Sequence, residues 1–113
     1  MSMVKLIDEV KECIESEYGR AGAQYGLVHH SDHESYAVLL EELQEAEDEV
    51  RFCGSALEKF WELVKQDCKA DAFKVNSLDL VYTKALLGAC ELIQVAAMAK
   101  KASLTIKKGG SRE

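Results

Sequence analysis

None of the 113 residues is proline. Proline is the residue that breaks a helix by steric clash and by loss of an amide donor, so only glycines and polar caps can punctuate this chain. Apolar residues recur at helical spacing, and no segment alternates well enough to read as a strand. Val4, Ile7, Val10, Ile14 and Tyr18 mark one face of a helix over about residues 3–18, with Lys5, Asp8, Glu9, Lys11, Glu12 and Glu15 outward. Gly19, Gly22 and Gly26 then mark a loop reaching His30. Ser31-Asp32-His33-Glu34 has the form of a capping box, in which the serine oxygen takes the Glu34 amide and the glutamate reaches back. It opens a second helix whose inner stripe is Tyr36, Leu39, Leu40, Leu43, Ala46 and Val50. The pattern resumes after Gly54 with Leu57, Phe60, Trp61, Val64 and Cys68, either as one helix kinked at Gly54-Ser55 or as two helices. Residues 69–76 read as a connector. Asn76 or Ser77 caps a third long helix over 77–104, with Asp79 in its first turn.

The expectation is one all-α domain over residues 1–104, a bundle of three to four helices that oligomerises through its long helices, with a frayed tail at 105–113. The balance of 48% apolar and 30% charged residues suits a packed core rather than a disordered chain. A net charge of −6 repels a nucleic-acid polymer, although a small anion bound through a divalent cation remains compatible with it. No signal-peptide core opens the chain, and no apolar run is expected to be long enough to cross a bilayer. Cys13, Cys53, Cys68 and Cys90 form no CxxC pair and sit at apolar helical phases. They read as reduced core thiols in a cytoplasmic protein, against zinc or disulfides.

Six of the ten residues from Glu41 to Val50 are acidic. On a helical wheel Glu42, Glu45 and Glu49 share one flank of the apolar stripe, while Glu41 and Asp48 point to solvent. Carboxylates stacked this way repel by about a few tenths of a kcal/mol per neighbouring pair, and only Arg51 is near in sequence to relieve them. A divalent cation such as Mg²⁺ or Mn²⁺ relieves them better; a solvated acidic face is the alternative. The third helix bears on that choice. It is apolar on one broad face through Val81, Tyr82, Ala85, Ala89, Leu92, Ile93, Ala96 and Ala99, and on a nearly opposite face through Leu80, Leu87 and Met98. Glu91 and Gln94 fall inside the second face. A buried glutamate costs on the order of several kcal/mol unless it is paired, protonated or metal-bound.

The segments LLEELQEAEDEV and GACELIQVAAMAKKA together resemble the MazG-like branch of the all-α nucleoside triphosphate pyrophosphohydrolases, in particular its small, often phage-associated members. That family shows EExxE on one helix and ExxD on a later one, four acids that hold Mg²⁺ against substrate phosphates. Glu41, Glu42 and Glu45 match EExxE, and Glu91 matches the first acid of ExxD. The resemblance covers about a third of the chain, roughly residues 30–51 and 85–102. It implies an Mg²⁺- or Mn²⁺-dependent hydrolysis of a nucleoside triphosphate to the monophosphate and pyrophosphate, in a homodimer or homotetramer. Glu41, Glu42 and Glu45 would be catalytic; Glu42, Glu45 and Glu91, with Glu49 and Gln94, would hold the metal; Lys100 and Lys101 would meet phosphates. Two departures stand out. Gln94 replaces the family's aspartate, and the stretch from Phe52 to Asn76 is longer than the family usually shows. The alternative is a non-catalytic helical module that keeps the fold and acts through its oligomer surface. Three further features carry bland readings beside sharper ones. His29 and His33 have an i, i+4 spacing that metals use, but they border a glycine-rich loop. Lys100 and Lys101 also suit the helix C-terminal dipole. Trp61 reads as core rather than as a base-stacking platform.

Overall fold

The computed structural model describes residues 3–26 and 29–109. Three α-helices account for nearly all of them: α1 (Met3–Tyr25), α2 (Asp32–Lys65) and α3 (Asp71–Lys107). No strand occurs among the described residues, so the all-α expectation holds.

Each boundary that departs from expectation has a local cause. α1 runs through Gly19 and Gly22 and stops at Gly26, whose φ of 93° is open to glycine without strain. α2 begins as the capping box requires: the Glu34 amide donates to Ser31 Oγ at 3.0 Å. The Glu34 carboxylate reaches back to the amide of His30 at 3.1 Å. α2 then passes through Gly54 without interruption. It closes in a Schellman turn, with the Cys68 amide on the Leu63 carbonyl and the Asp67 amide on the Val64 carbonyl. Asp67 takes the left-handed conformation there, at φ 52°. α3 starts at Asp71 rather than at residue 77. Ser77 is thus a buried residue inside the helix, and Asp79 lies beyond the first turn.

The chain divides into two compact units, one of Met1–Leu43 with Glu91–Glu113 and one of Gln44–Cys90. In the first unit α1, the start of α2 and the end of α3 surround the small buried residues Ala21 and Ala97. Lys100 of α3 pairs with Glu15 of α1 and lies 4.7 Å over the Tyr18 ring. The second unit is a hairpin of the later part of α2 and the earlier part of α3. Ala46, Ala56 and Gly88 are buried in it, and Cys53 Sγ donates to the Val81 carbonyl at 3.7 Å. A Cβ on Gly88 would rest 3.5 Å from Glu49 Cβ, so these two helices meet at ordinary contact distance.

The described core is made of small side chains. Tyr36, Val50, Trp61 and Tyr82, each placed on an apolar stripe by the sequence, are more than half exposed within the chain. Cys13 and Cys90 are likewise exposed, and all four cysteines are free. The core-thiol and core-tryptophan readings are corrected accordingly: the helices put these phases outward. α3 also contains an 18-residue window long and apolar enough, by length and composition, to cross a membrane, with 11% of that window buried. The expectation that no apolar run reaches that length is therefore corrected.

Candidate functional site

The first unit holds a cavity of about 410 Å³, a size usual for small-molecule sites. α1 supplies Glu17, Arg20 and Ala21 to its wall. α2 supplies Glu34, Val38, Glu41 and Glu42. α3 supplies Gln94, Met98 and Lys101, and His29 closes it from the connecting segment. The helical period explains this set. Val38, Glu41 and Glu42 are three and four residues apart on α2, as are Gln94, Met98 and Lys101 on α3, so each trio forms a continuous strip.

Glu42 and Glu91, both half-buried and both in this unit, bring carboxylate oxygens within 4.8 Å of each other. Glu45, one turn on from Glu42 along α2, is exposed and brings an oxygen within the same distance of Glu42. Gln94 is half-buried on the cavity wall one turn after Glu91, and Glu41 lies exposed on the same wall. Glu49 belongs to the second unit. There its carboxylate lies 3.5 Å from Lys84 Nζ, both side chains being about a quarter exposed or less. Arg51, the one cation near the acidic run in sequence, pairs with Asp48 at 2.6 Å and lies 5.5 Å from the Phe52 ring.

The two lysines at the end of the run part company. Lys100 is taken up by Glu15 and Tyr18. Lys101 is 5% exposed and lines the cavity. Arg20, also on the wall, is held by Glu17 and by Gln24 Oε1 at 3.0 Å. Its guanidinium keeps the Glu17 carboxyl below the usual carboxylate range, chiefly through the hydrogen bond.

Hydrogen bonds that the sequence did not foretell tie His29 to α2 and α3. His29 is 2% exposed. Its ring Nδ1 lies 2.7 Å from Ser35 Oγ, and its backbone amide donates to Thr105 Oγ1 at 3.1 Å. Thr105 in turn donates to the Lys101 carbonyl at 2.8 Å. Burial pushes the His29 pKa down, and the Lys101 ammonium adds to the effect. The imidazole is therefore neutral at pH 7, with one nitrogen an acceptor and the other a donor.

Comparison of the chain with known protein families, characterised proteins and solved structures finds no match.

Proposed function

We propose that the chain is an Mg²⁺- or Mn²⁺-dependent nucleoside triphosphate pyrophosphohydrolase, working in the cytoplasm as a homodimer or homotetramer. The observation that carries this reading is the approach of Glu91 to within 4.8 Å of Glu42, which itself lines a 410 Å³ cavity. Two oxygens on one Mg²⁺ stand at most about 4.2 Å apart at ordinary coordination distances, so a small side-chain rotation closes the gap. The donor set of carboxylates and an amide oxygen is the hard set such ions take.

In this reading Glu42 and Glu91 would hold the ion, and Gln94 would add an uncharged oxygen. Glu49, paired with Lys84 in the second unit, takes no part in our assignment. When bound, the metal would supply charge neutralisation and polarisation of the phosphate. Glu41, exposed on the cavity wall, takes the proton of the attacking water while the bond from the α-phosphorus to the bridging oxygen breaks. Pyrophosphate leaves and the monophosphate remains. Lys101 faces the phosphates, whereas Lys100 is occupied by Glu15.

The test is release of pyrophosphate from a panel of nucleoside triphosphates with Mg²⁺ or Mn²⁺. Glu42→Gln and Glu91→Gln should each lower the rate by about 10–100-fold or more, the loss typical even of residues that only support a metal's ligands. A chain that releases no pyrophosphate from any nucleotide overturns the reading. Gln94 favours the second reading, a non-catalytic helical module, because a neutral amide there leaves the group one charge short.

A further inference from the structure

We propose that two copies of the chain pair through the later part of α2, antiparallel and about a twofold axis, so that Arg51 of each meets Glu58 of the other. In the second unit α2 turns Glu49 and Cys53 toward α3, where they meet Lys84 and the Val81 carbonyl. Val50, Leu57, Trp61 and Val64 lie about a quarter turn round α2 from that side and are between 42% and 59% exposed. Their separations of seven, four and three residues are those of a seam along which two helices stay in contact. Phe52 and Leu80 line a groove on the other side of the hairpin. Leu78 and Tyr82 stand nearly opposite Leu80 around α3, which puts them on the side of the α2 row, 44% and 70% exposed. That side of the hairpin is one apolar layer of two helices, and a helical layer of this kind is stable when a second layer covers it.

The charges beside the row point to a second copy as the cover. Arg51, Glu58 and Lys65 recur every seven residues along its outer edge, and all three are exposed. Their alternating sign is self-complementary. With an antiparallel copy and a twofold axis midway between positions 51 and 58, Arg51 faces Glu58 of the second copy, and the symmetry repeats the pair. The same arrangement sets Trp61 near Val50 of the second copy, a large side chain against a small one. A parallel copy sets this edge against Cys53 and Phe60, which carry no charge. A lipid surface needs no acid at such a rim, and an unrelated partner needs no self-complementary pattern. Arg51 now pairs with Asp48, and Lys65 with Glu62; exposed pairs of this sort are weak enough to exchange. The inference rests on the oligomeric part of the function proposed above and is independent of its chemistry.

The decisive experiment is a dilution series of the full chain, followed by sedimentation and by the emission of Trp61, the single tryptophan. Trp61 emission should move to the blue over the same concentrations at which the mass rises. Arg51→Glu and Glu58→Arg, each alone, set like charges face to face twice per pair and should raise the dissociation constant about tenfold. Mixing the two variants in equal amounts should restore the parent's affinity, because one then carries only acids at these positions and the other only bases. The double variant Arg51→Glu, Glu58→Arg should associate as the parent does. Both positions are exposed, so helix content by circular dichroism should be unchanged in every variant. Association that neither reversal weakens, a mixture that stays weak, or Trp61 emission that ignores concentration overturns the pairing. Pyrophosphate release, assayed separately, tests the catalytic reading: a chain that pairs as described but releases none sinks that reading alone.

Discussion

The protonation of His29 couples the cavity to stability. Its folded pKa lies below the ordinary value, first because it is buried, then because of Lys101 and His30; only Glu34 pulls the other way. Unfolded, the ring takes up its proton near pH 6.5. Between the two values the unfolded chain binds more protons, so stability is complete above about pH 6.5 and is lost as pH falls through the folded value. Melting temperatures should thus hold steady above about pH 6.5 and decline below it, and His29→Gln should flatten that decline. An equal slope in the variant would show that His29 does not titrate in this way. Gln94→Asp tests the other wall. Adding a carboxylate one turn from Glu91 should tighten Mg²⁺ by about an order of magnitude, since affinity follows the ligand charge count, and should raise any pyrophosphohydrolase rate. A lower melting temperature with no gain in metal affinity would count for the non-catalytic module. The sequence revealed Glu42 and Glu91 because helical phase places both beside apolar stripes. It could not reveal the bond from His29 to Thr105, which joins residues 76 apart with no shared period.

Elements were more legible than their ends. The capping box at Ser31 placed the start of α2 correctly because its signal is local and made of four adjacent residues. The starts and stops that rested on glycine or connector composition moved. Gly19 and Gly22 lie inside α1, and residues 71–76 belong to α3. A glycine inside a helix lowers stability without forcing a break, and the open choice at Gly54 resolves the same way, as a continuous helix. No side chain or distant backbone lies within 4 Å of where a Gly54 Cβ would be. Gly54→Ala should therefore stabilise the protein by about 0.8–1.0 kcal/mol, the difference in helix propensity, readable as a shift in the urea midpoint with an unchanged slope. A destabilised variant would mean that the glycine serves a close approach. At the other end of α2, Asp67 holds a left-handed position that glycine usually fills, which is why no sequence signal marked that turn.

At the scale of the whole molecule, the described core holds alanines while larger apolar residues stay in solvent. In the first unit Met3, Val4, Ile7 and Leu92 are at least 45% exposed; in the second Val50, Trp61, Phe73 and Leu86 are at least 51% exposed. A second copy of the chain is the cover we expect for these faces, since obligate dimers bury about 1,000 Å² or more of largely apolar surface per chain. A bilayer is the other apolar cover for α3, whose composition alone would allow it. Against it, Lys84 and Glu91 occupy the middle turns of that helix, and charges of this kind cost about 2.5–3.5 kcal/mol each at the bilayer centre even on the most lenient scale. Between protein chains the same groups keep their neighbours: Lys84 stays on Glu49, and Glu91 stays beside Glu42. Light scattering at micromolar concentration should therefore give the mass of a dimer or tetramer, and Leu86→Glu, on an exposed apolar face of α3, should weaken association by about tenfold or more, as burying an unpaired charge at an interface requires. A clean 12.6 kDa monomer, or partition of the chain onto lipid vesicles in place of self-association, would show that these faces are covered by something other than a second copy.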